Sequence, residues 1–338
     1  MKRGSHRGKN LTIRAVLVCV LIAALLTAGY VLGRKWELSQ YQEQRGQMSS
    51  GFGKIPTIEV DGTTYQQKLN LTTVLLIGTD KQSDDVSEGY RNGGQADFLL
   101  LAVVDHDAKT IKQLQIDRDT IVPVSVLGIF GNPAGSREMQ ICLAHGYGLD
   151  RQERCKNTLA SVQALLDGQS VELYAEIPVD GVGALNDLLG GVTVTLQDDF
   201  TSSDPTMTAG TTLTLTAQQA EILVRSRMSI ADGTNEARMT RQRIFMDAAV
   251  PLIREKIAEN SNFASEMLDS LAPYLATNMA RGRMINEINK AYHYDVEPVQ
   301  YLSGEHTVGD DGFVEFHADH QSVVDFVLRT FYTPQTAQ

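Results

Sequence analysis

Five arginines stand within nineteen residues of this chain: Arg225, Arg227, Arg238, Arg241 and Arg243. A guanidinium is a planar fork of donors that matches phosphate oxygens two at a time and stays charged at any physiological pH. A charge run is more commonly a solvated helix face laced with salt bridges. Aspartates at the ends of three apolar segments favour the phosphate reading. Asp80 follows Val74-Leu-Leu-Ile-Gly78, Asp97 begins Phe98-Leu-Leu-Leu-Ala-Val-Val104, and Asp117-Arg118-Asp119-Thr120 ends the next segment. Each aspartate alone is ordinarily a turn or cap residue. Gathered along one sheet edge, such carboxylates hold Mg²⁺ or a similar hard cation, with phosphate oxygens completing its shell. The chain carries no zinc-ligand spacing, nucleophile elbow or P-loop, so metal-assisted phosphate chemistry is the reading the residues support.

The elements that must position these groups can be read from periodicity. The runs at 74–78 and 98–104 are continuously apolar, the pattern of strands buried on both faces. Ile111–Ile116 alternates after the turn Asp105–Lys109, which predicts antiparallel pairing with the run before it. Helices are expected over Thr158–Leu166 and Val182–Leu189, and strands over Val171–Ile177 and Val192–Leu196. Thr216-Ala-Gln-Gln219 has the form of a capping box and opens the helix that delivers Arg225. A second helix starts near Glu236, carries Arg238 and Arg241 on one face in its first turns, and is expected to end or kink at Pro251. Helix N-termini attract anions through free N–H groups and the dipole, which again favours a phosphate there. Asp319–Phe331 reads as a closing amphipathic helix. The alternation of strands and helices predicts an α/β fold, a layered α-β-α domain around a central mixed sheet.

The first 36 residues hold seven of the 30 Lys/Arg and none of the 41 Asp/Glu, which leaves 23 against 41 beyond Trp36. Such acidity excludes a nucleic-acid partner, whose phosphates need a basic surface. Ala15–Gly33 are nineteen uncharged positions, long enough as a helix to cross a bilayer core of roughly 30 Å. Lys2, Arg3, Arg7, Lys9 and Arg14 precede them, so residues 1–14 are expected in the cytoplasm and everything beyond Trp36 outside. The apolar run is long for a signal peptide and no small-x-small cleavage site follows it, so an uncleaved single-pass anchor is the expectation. Residues 34–69 then read as an extracellular stalk and 70–338 as the catalytic domain, with a core over 72–250 and an extension over 251–338. Cys142 and Cys155 flank a polar loop. A disulfide there would close about 14 residues and stabilise by roughly 3 kcal/mol, the alternative being two buried thiols.

Six segments, in order from about Thr72 to Ala249, resemble the LytR-CpsA-Psr family of cell-wall proteins. They are Leu-Leu-Ile-Gly78-Thr-Asp80, the strand start at Asp97, Ile116-Asp117-Arg118-Asp119-Thr120, Gln140-Ile-Cys-Leu-Ala-His145-Gly-Tyr147-Gly, Val179-Asp180 with Leu189-Gly-Gly-Val192, and the arginine signature Arg225-Ser-Arg227, Asp232, Arg238 and Arg241-Gln242. The resemblance implies a membrane-anchored phosphotransferase that moves a glycopolymer, such as a teichoic acid or capsular polysaccharide, from a polyprenyl-pyrophosphate carrier onto peptidoglycan. It implies pyrophosphate binding by Arg118, Arg225, Arg227, Arg238, Arg241 and Gln242. Mg²⁺ (or Mn²⁺) would sit on Asp80 and Asp97, and Asp80, Asp97 or Asp119 would take the proton of the attacking hydroxyl. Alternatives are a polyprenyl-pyrophosphate hydrolase and a non-catalytic lipid-binding regulator of the envelope. The chain departs from the family pattern at Gln95, where the family has arginine, at Phe98, at Asp117, where it has proline, and at Cys142.

Overall fold

The computed structural model describes residues 55–80, 94–128, 130–226, 230 and 233–335. The expected cytoplasmic tail, the apolar segment 15–33 and most of the stalk lie outside them, as do Arg227 and Asp232. Among the described residues no helix is long and apolar enough to cross a membrane. The described residues divide into two compact units, 55–67 with 334–335 and a second over 68–333. In the first, β1 (Thr57–Val60) and β2 (Thr63–Gln67) form a hairpin. Its two-residue turn is Asp61-Gly62, both at positive φ (50° and 75°), the Asp-Gly pair that a primed hairpin turn selects. The stretch read as stalk thus contains ordered β structure.

The second unit begins with β3 (Leu71–Thr79), β4 (Ala96–Asp105) and β5 (Thr110–Ile116), a meander in which β4 pairs antiparallel with both neighbours. β6 (Ile121–Leu127) and β7 (Pro133–Gln140) form a separate hairpin, followed by a 3-10 turn at Ile141–Gly146 and helix α1 (Arg151–Leu165). β8 (Leu173–Pro178) lies parallel to β3 and runs directly into α2 (Val179–Leu189). The hairpin β9 (Thr193–Thr195) and β10 (Thr212–Thr214) precedes α3 (Ala217–Arg225) and α4 (Asn235–Glu259). Then come α5 (Phe263–Leu271), β11 (Ala276–Thr277), α6 (Arg281–Ala291), β12 (Asp295–Val296), the hairpin β13 (Gly304–Val308) and β14 (Val314–Ala318), and α7 (His320–Phe331).

The central sheet has the order β11-β8-β3-β4-β5-β12 and is mixed. Strand alternation sends Leu75, Ile77, Leu99, Leu101 and Leu114 into one core with Val162 of α1 and Phe326 of α7. On the other face a second core forms among the helices, from Leu189 of α2, Leu223 of α3, Phe245 and Ala249 of α4 and Leu271 of α5. Two cores on opposite faces of one sheet are the α-β-α layering the sequence predicts. Boundaries differ in informative places. α1 starts at Arg151, seven residues before the expected helix, because the Asp150 side chain caps it by accepting from Glu153 N at 2.8 Å. α4 neither ends nor breaks at Pro251 but continues to Glu259. Pro251 is solvent-exposed there, so water can satisfy the backbone carbonyl that the missing N–H leaves unpaired.

Candidate active site

The site starts from an irregularity in the sheet. β3 and β4 pair residue for residue until Gly78↔Phe98, after which Thr79 pairs with Ala96, so Asp97 is an extra residue on β4. A β-bulge of this kind turns a side chain away from the regular alternation. As a result, Asp97 and Phe98 both face the helical layer and line the same cavity. Gly78 is required opposite them, because a Cβ there would fall 2.8 Å from the Phe98 Cβ.

Arg118 approaches Asp97 from the turn that ends β5. That turn is fastened by Asp117, whose carbonyl accepts from Thr120 N (3.1 Å) and Oγ1 (2.6 Å) and whose Oδ1 accepts from Asp119 N (2.8 Å). The Arg118 guanidinium donates to Asp97 Oδ1, to Gln95 Oε1 and to Cys142 Sγ (3.1 Å), and its Nε lies 3.4 Å from Asp119 Oδ1. Burial opposes its charge, but the Cys142 sulfur and the carboxylates of Asp97 and Asp119 outweigh it and raise its pKa. Burial also pushes the Cys142 thiol up to about 11, with the Arg118 cation pulling the other way. Cys142 and Cys155 are both free and buried, so the expected disulfide is absent. Each thiol has another setting instead: Cys142 faces the arginine and Cys155 packs inside the core beneath the sheet.

The second grip on Asp97 comes from α4. Thr234 caps the helix by accepting from Ala237 N at 3.2 Å, which sets Arg238 in the first turns as the sequence predicts. Arg238 Nη1 lies 3.2 Å from Asp97 Oδ2, while Nη2 donates to Asn235 Oδ1 at 2.8 Å. Two guanidinium groups from different elements therefore hold one carboxylate. Gln242, one turn on, donates to Val224 O at 3.4 Å; its buried Oε1 has no hydrogen-bond partner among the described residues.

Arg241 departs from the expectation. It does not share the site with Arg238: Nη1 donates to Asp198 Oδ2 (2.8 Å) and Nη2 to Ser226 O (2.8 Å), with the guanidinium 6.0 Å from the Phe200 ring centroid. Only 1% of it is exposed. A rotation of about 300° over three residues still leaves room for two long side chains to diverge. Its role is to tie the segment after α3 to α4. Nothing in local spacing signals Asp198, 43 residues away, as its anchor, whereas Asn235 meets Arg238 at the i, i+3 spacing of a helix face.

Between the sheet and the helical layer lies a cavity of about 330 Å³. Asp80, Asp97, Arg225, Arg238 and Gln242 form its polar part. Leu76, Phe98, Ile177, Val182, Leu185, Phe245, Met246, Ile253 and Met267 form the rest. Along α4 the lining runs from Arg238 to Ile253, which at 1.5 Å per residue is roughly 22 Å. Polar and charged groups at one end of a long apolar slot match an amphiphile with an anionic head.

A divalent cation fits the polar end. Asp80 Oδ1 is buried and has no hydrogen-bond partner among the described residues, and its carboxylate shares the cavity wall with Asp97. Two carboxylates facing a phosphate-sized space are the hard oxygen donors that Mg²⁺ takes. A different trio, His145, Cys155 and Glu176, brings potential ligand atoms within 4.8 Å of one another. Glu176 is committed there to Arg151 Nε and to Thr79 Oγ1 (2.8 Å), a structural pairing next to β3.

A family model described as the LytR_cpsA_psr family matches residues 39–327. Biofilm regulatory protein A of Streptococcus mutans is 26% identical over 243 residues, 70% of this chain and 55% of that protein. The polyisoprenyl-teichoic acid–peptidoglycan teichoic acid transferase TagU of Bacillus cereus is 26% identical over 216 residues, 63% of this chain and 62% of that protein. The chain thus spans between about half and two-thirds of the length of these curated relatives. Among solved structures, a Streptococcus agalactiae protein superposes with a TM-score of 0.63 at 19% identity, covering 77% of this chain and 86% of its own. TagT bound to LI-WTA gives 0.56 at 21% identity, with 76% and 87% covered. These superpositions show a shared mixed α/β fold.

Proposed function

The chain belongs to the LytR_cpsA_psr family, and from that membership and the shape of the cavity we propose that it is a membrane-anchored phosphotransferase joining a lipid-linked glycopolymer to peptidoglycan. One observation carries the reading: a single cavity has the guanidiniums of Arg225 and Arg238 and the carboxylates of Asp80 and Asp97 at its polar end, and behind them an apolar slot that follows α4 from Phe245 to Ile253, roughly 12 Å. The transferase TagU, a relative, is named for a polyisoprenyl-teichoic acid donor and a peptidoglycan acceptor, which agrees with that shape.

In this reading the polyprenyl tail lies along α4 and the diphosphate exchanges Asp97 for its own oxygens on Arg118 and Arg238, with Arg225, Arg227 and Gln242 assisting. The acceptor hydroxyl oxygen attacks the phosphorus nearer the sugar, and the bond from that phosphorus to the bridging oxygen breaks. Polyprenyl monophosphate leaves, the product keeps one phosphate as a phosphodiester, and the hydroxyl proton passes to Asp80 or Asp97. Asp119 lines neither end of the slot; it positions Arg118 through its Nε contact. Mg²⁺ held by Asp80 and Asp97 supplies neutralisation of the phosphate charge when bound. Fixed cations aimed at oxygens whose charge grows in the transition state lower the barrier more than they tighten ground-state binding. Arg241 holds Ser226, next to Arg225, against α4, so that Arg225 stays on the cavity wall. The catalytic unit is placed outside the cell, behind an anchor at residues 15–33.

The test is transfer from a synthetic saccharide-diphosphate-prenyl donor, following release of prenyl monophosphate with and without peptidoglycan. Release that needs peptidoglycan and leaves labelled saccharide on it supports the proposal. Equal release without peptidoglycan shows a hydrolase, and no release with Mg²⁺ and both substrates present contradicts enzymatic action on this lipid class.

A further inference from the structure

A second cavity, of about 540 Å³, opens where the end of β5, the start of α4 and the segment leading into β13 come together. Its wall includes Gln115, Asp117, Glu236, Thr240, Tyr301 and His306. Lys and Arg are missing from that wall, so it is unsuited to phosphate or another anion. Its polar groups are instead carboxylates, hydroxyls, an amide and the His306 imidazole, which is paired with Asp117, alongside the ring of Tyr301, which is 52% exposed. An exposed aromatic face next to neutral and acidic hydrogen-bonding groups suits a polyhydroxylated, uncharged ligand.

One buried group points to a missing ligand. Gln115 is 2% exposed, and its Oε1 accepts from the Tyr301 hydroxyl at 3.4 Å. Its Nε2 is buried without a hydrogen-bond partner among the described residues. An amide donor held on a cavity wall with nothing to donate to costs free energy that a ligand oxygen would recover.

The cavity is also wired to the first site. Asp117 Oδ2 lies 3.0 Å from His306 Nε2, and its Oδ1 accepts from Asn235 Nδ2 at 2.8 Å. Asn235 in turn accepts from Arg238, which holds Asp97. Asp117 stands on the wall of the second cavity and Asp97 on that of the first, so three polar contacts span the distance between them. We propose that the second cavity is the acceptor subsite: it takes a neutral saccharide strand across Tyr301, with Gln115 Nε2 donating to it, and presents a hydroxyl toward Arg238 and Asp97. This rests on the transferase reading above. Asp117 and Asn235 are then a positioning pair, keeping Arg238 in line with the occupied acceptor site.

The experiment uses the full-length protein and two probes, a β-1,4-linked N-acetylglucosamine tetramer and geranylgeranyl diphosphate, each measured by calorimetry. The tetramer should bind. Tyr301→Ala should weaken it about fivefold, Tyr301→Phe should restore most of that, and Gln115→Met should weaken it comparably. Geranylgeranyl diphosphate affinity should be the same in all four proteins. Tyr301 is on the surface, so Tyr301→Ala should melt with the wild type. The proposal is overturned if the tetramer fails to bind, if Tyr301→Ala binds it as the wild type does, or if Tyr301→Ala instead raises the KM for the saccharide-bearing donor, which would place the donor's own polymer in this cavity. Failure of geranylgeranyl diphosphate to bind the wild type, with the tetramer still bound through Tyr301, would remove the transferase reading while leaving a saccharide site.

Discussion

Arg238 and Asp97 meet at 3.2 Å across the join between α4 and the β4 bulge, and Arg118 takes the other oxygen of the same carboxylate. The site is therefore held together by the charges that are proposed to handle phosphate. With 4% of the Arg238 side chain and 11% of Arg118 exposed, neither cation has much water to fall back on. A diphosphate and its metal would have to replace the contacts that Asp97 now makes.

Asp97→Ala should then act twice. Removing the shared carboxylate leaves two poorly solvated guanidiniums, a loss of about 2–3 kcal/mol in stability. Transfer should fall by at least about 100-fold. Because geranylgeranyl diphosphate would supply the missing negative charge, it should raise the melting temperature of Asp97→Ala more than that of the wild type. An equal shift in both proteins would mean that the diphosphate does not sit on Arg118 and Arg238.

Arg241→Ala should behave as a stability mutant. It breaks a buried pair with Asp198 and a bond to Ser226 O, at a cost of about 3 kcal/mol, or roughly 5–10 °C in melting temperature for a unit of this size. Replacing both partners, Arg241→Met with Asp198→Leu, should recover most of that loss. If Arg241→Ala melted with the wild type and lost only phosphate affinity, Arg241 would belong in the pyrophosphate site as the sequence first suggests.

His145 gives the fold an acid-sensitive term. Burial first, and then the Arg154 and Arg151 cations, lower its pKa to about 3, while its Nδ1 lies 3.3 Å from Thr158 Oγ1. The unfolded chain takes up a proton near pH 6.5 that the folded chain refuses until about pH 3. Stability from this group is thus complete above about 6.5 and declines as pH falls toward 3, by up to about 1.4 kcal/mol per pH unit. Denaturant titrations of the wild type and His145→Gln between pH 7 and 4 should show a shallower slope in the variant. Parallel slopes would place the acid sensitivity elsewhere.

The thiols of Cys142 and Cys155 should be inert. Burial raises both, Cys142 to about 11, so iodoacetamide at pH 8 should label neither in the folded protein and both after denaturation without reductant. A melting temperature that drops when dithiothreitol is added would reveal a disulfide and contradict the free thiols found here. Stability drawn from the buried Cys142 is present below about pH 9 and is lost as pH rises toward 11, because the folded state holds the proton longer.

Much of the framework was legible in local patterns. The capping box at Thr216 and Gln219 is formed, with both reciprocal hydrogen bonds, since four consecutive residues contain everything it needs. The strand-end position of Asp80 and Asp97 followed from apolar runs in the same way. The bulge that turns Asp97 toward the cavity was not readable, because a two-against-one count exists only once β4 is laid against β3. Long-range polar partners were equally hidden: Asp117 meets Asn235 and His306 across 118 and 189 residues of chain. From spacing alone Arg238 and Arg241 looked equivalent, and only the placement of Asp198 separates them. The apolar slot was foreseeable as a need of the lipid, yet its walls come from β3, β8, α2, α4 and α5 together.

The most direct test of the account is a crystal structure of the full-length protein with geranylgeranyl diphosphate and Mg²⁺. Diphosphate oxygens are expected within hydrogen-bonding distance of Arg118 and Arg238, metal density between Asp80 and Asp97, and the prenyl tail running past Phe245 and Met246 toward Ile253. A tail bound elsewhere, with Arg238 still closed on Asp97 and the slot along α4 unfilled, would contradict it.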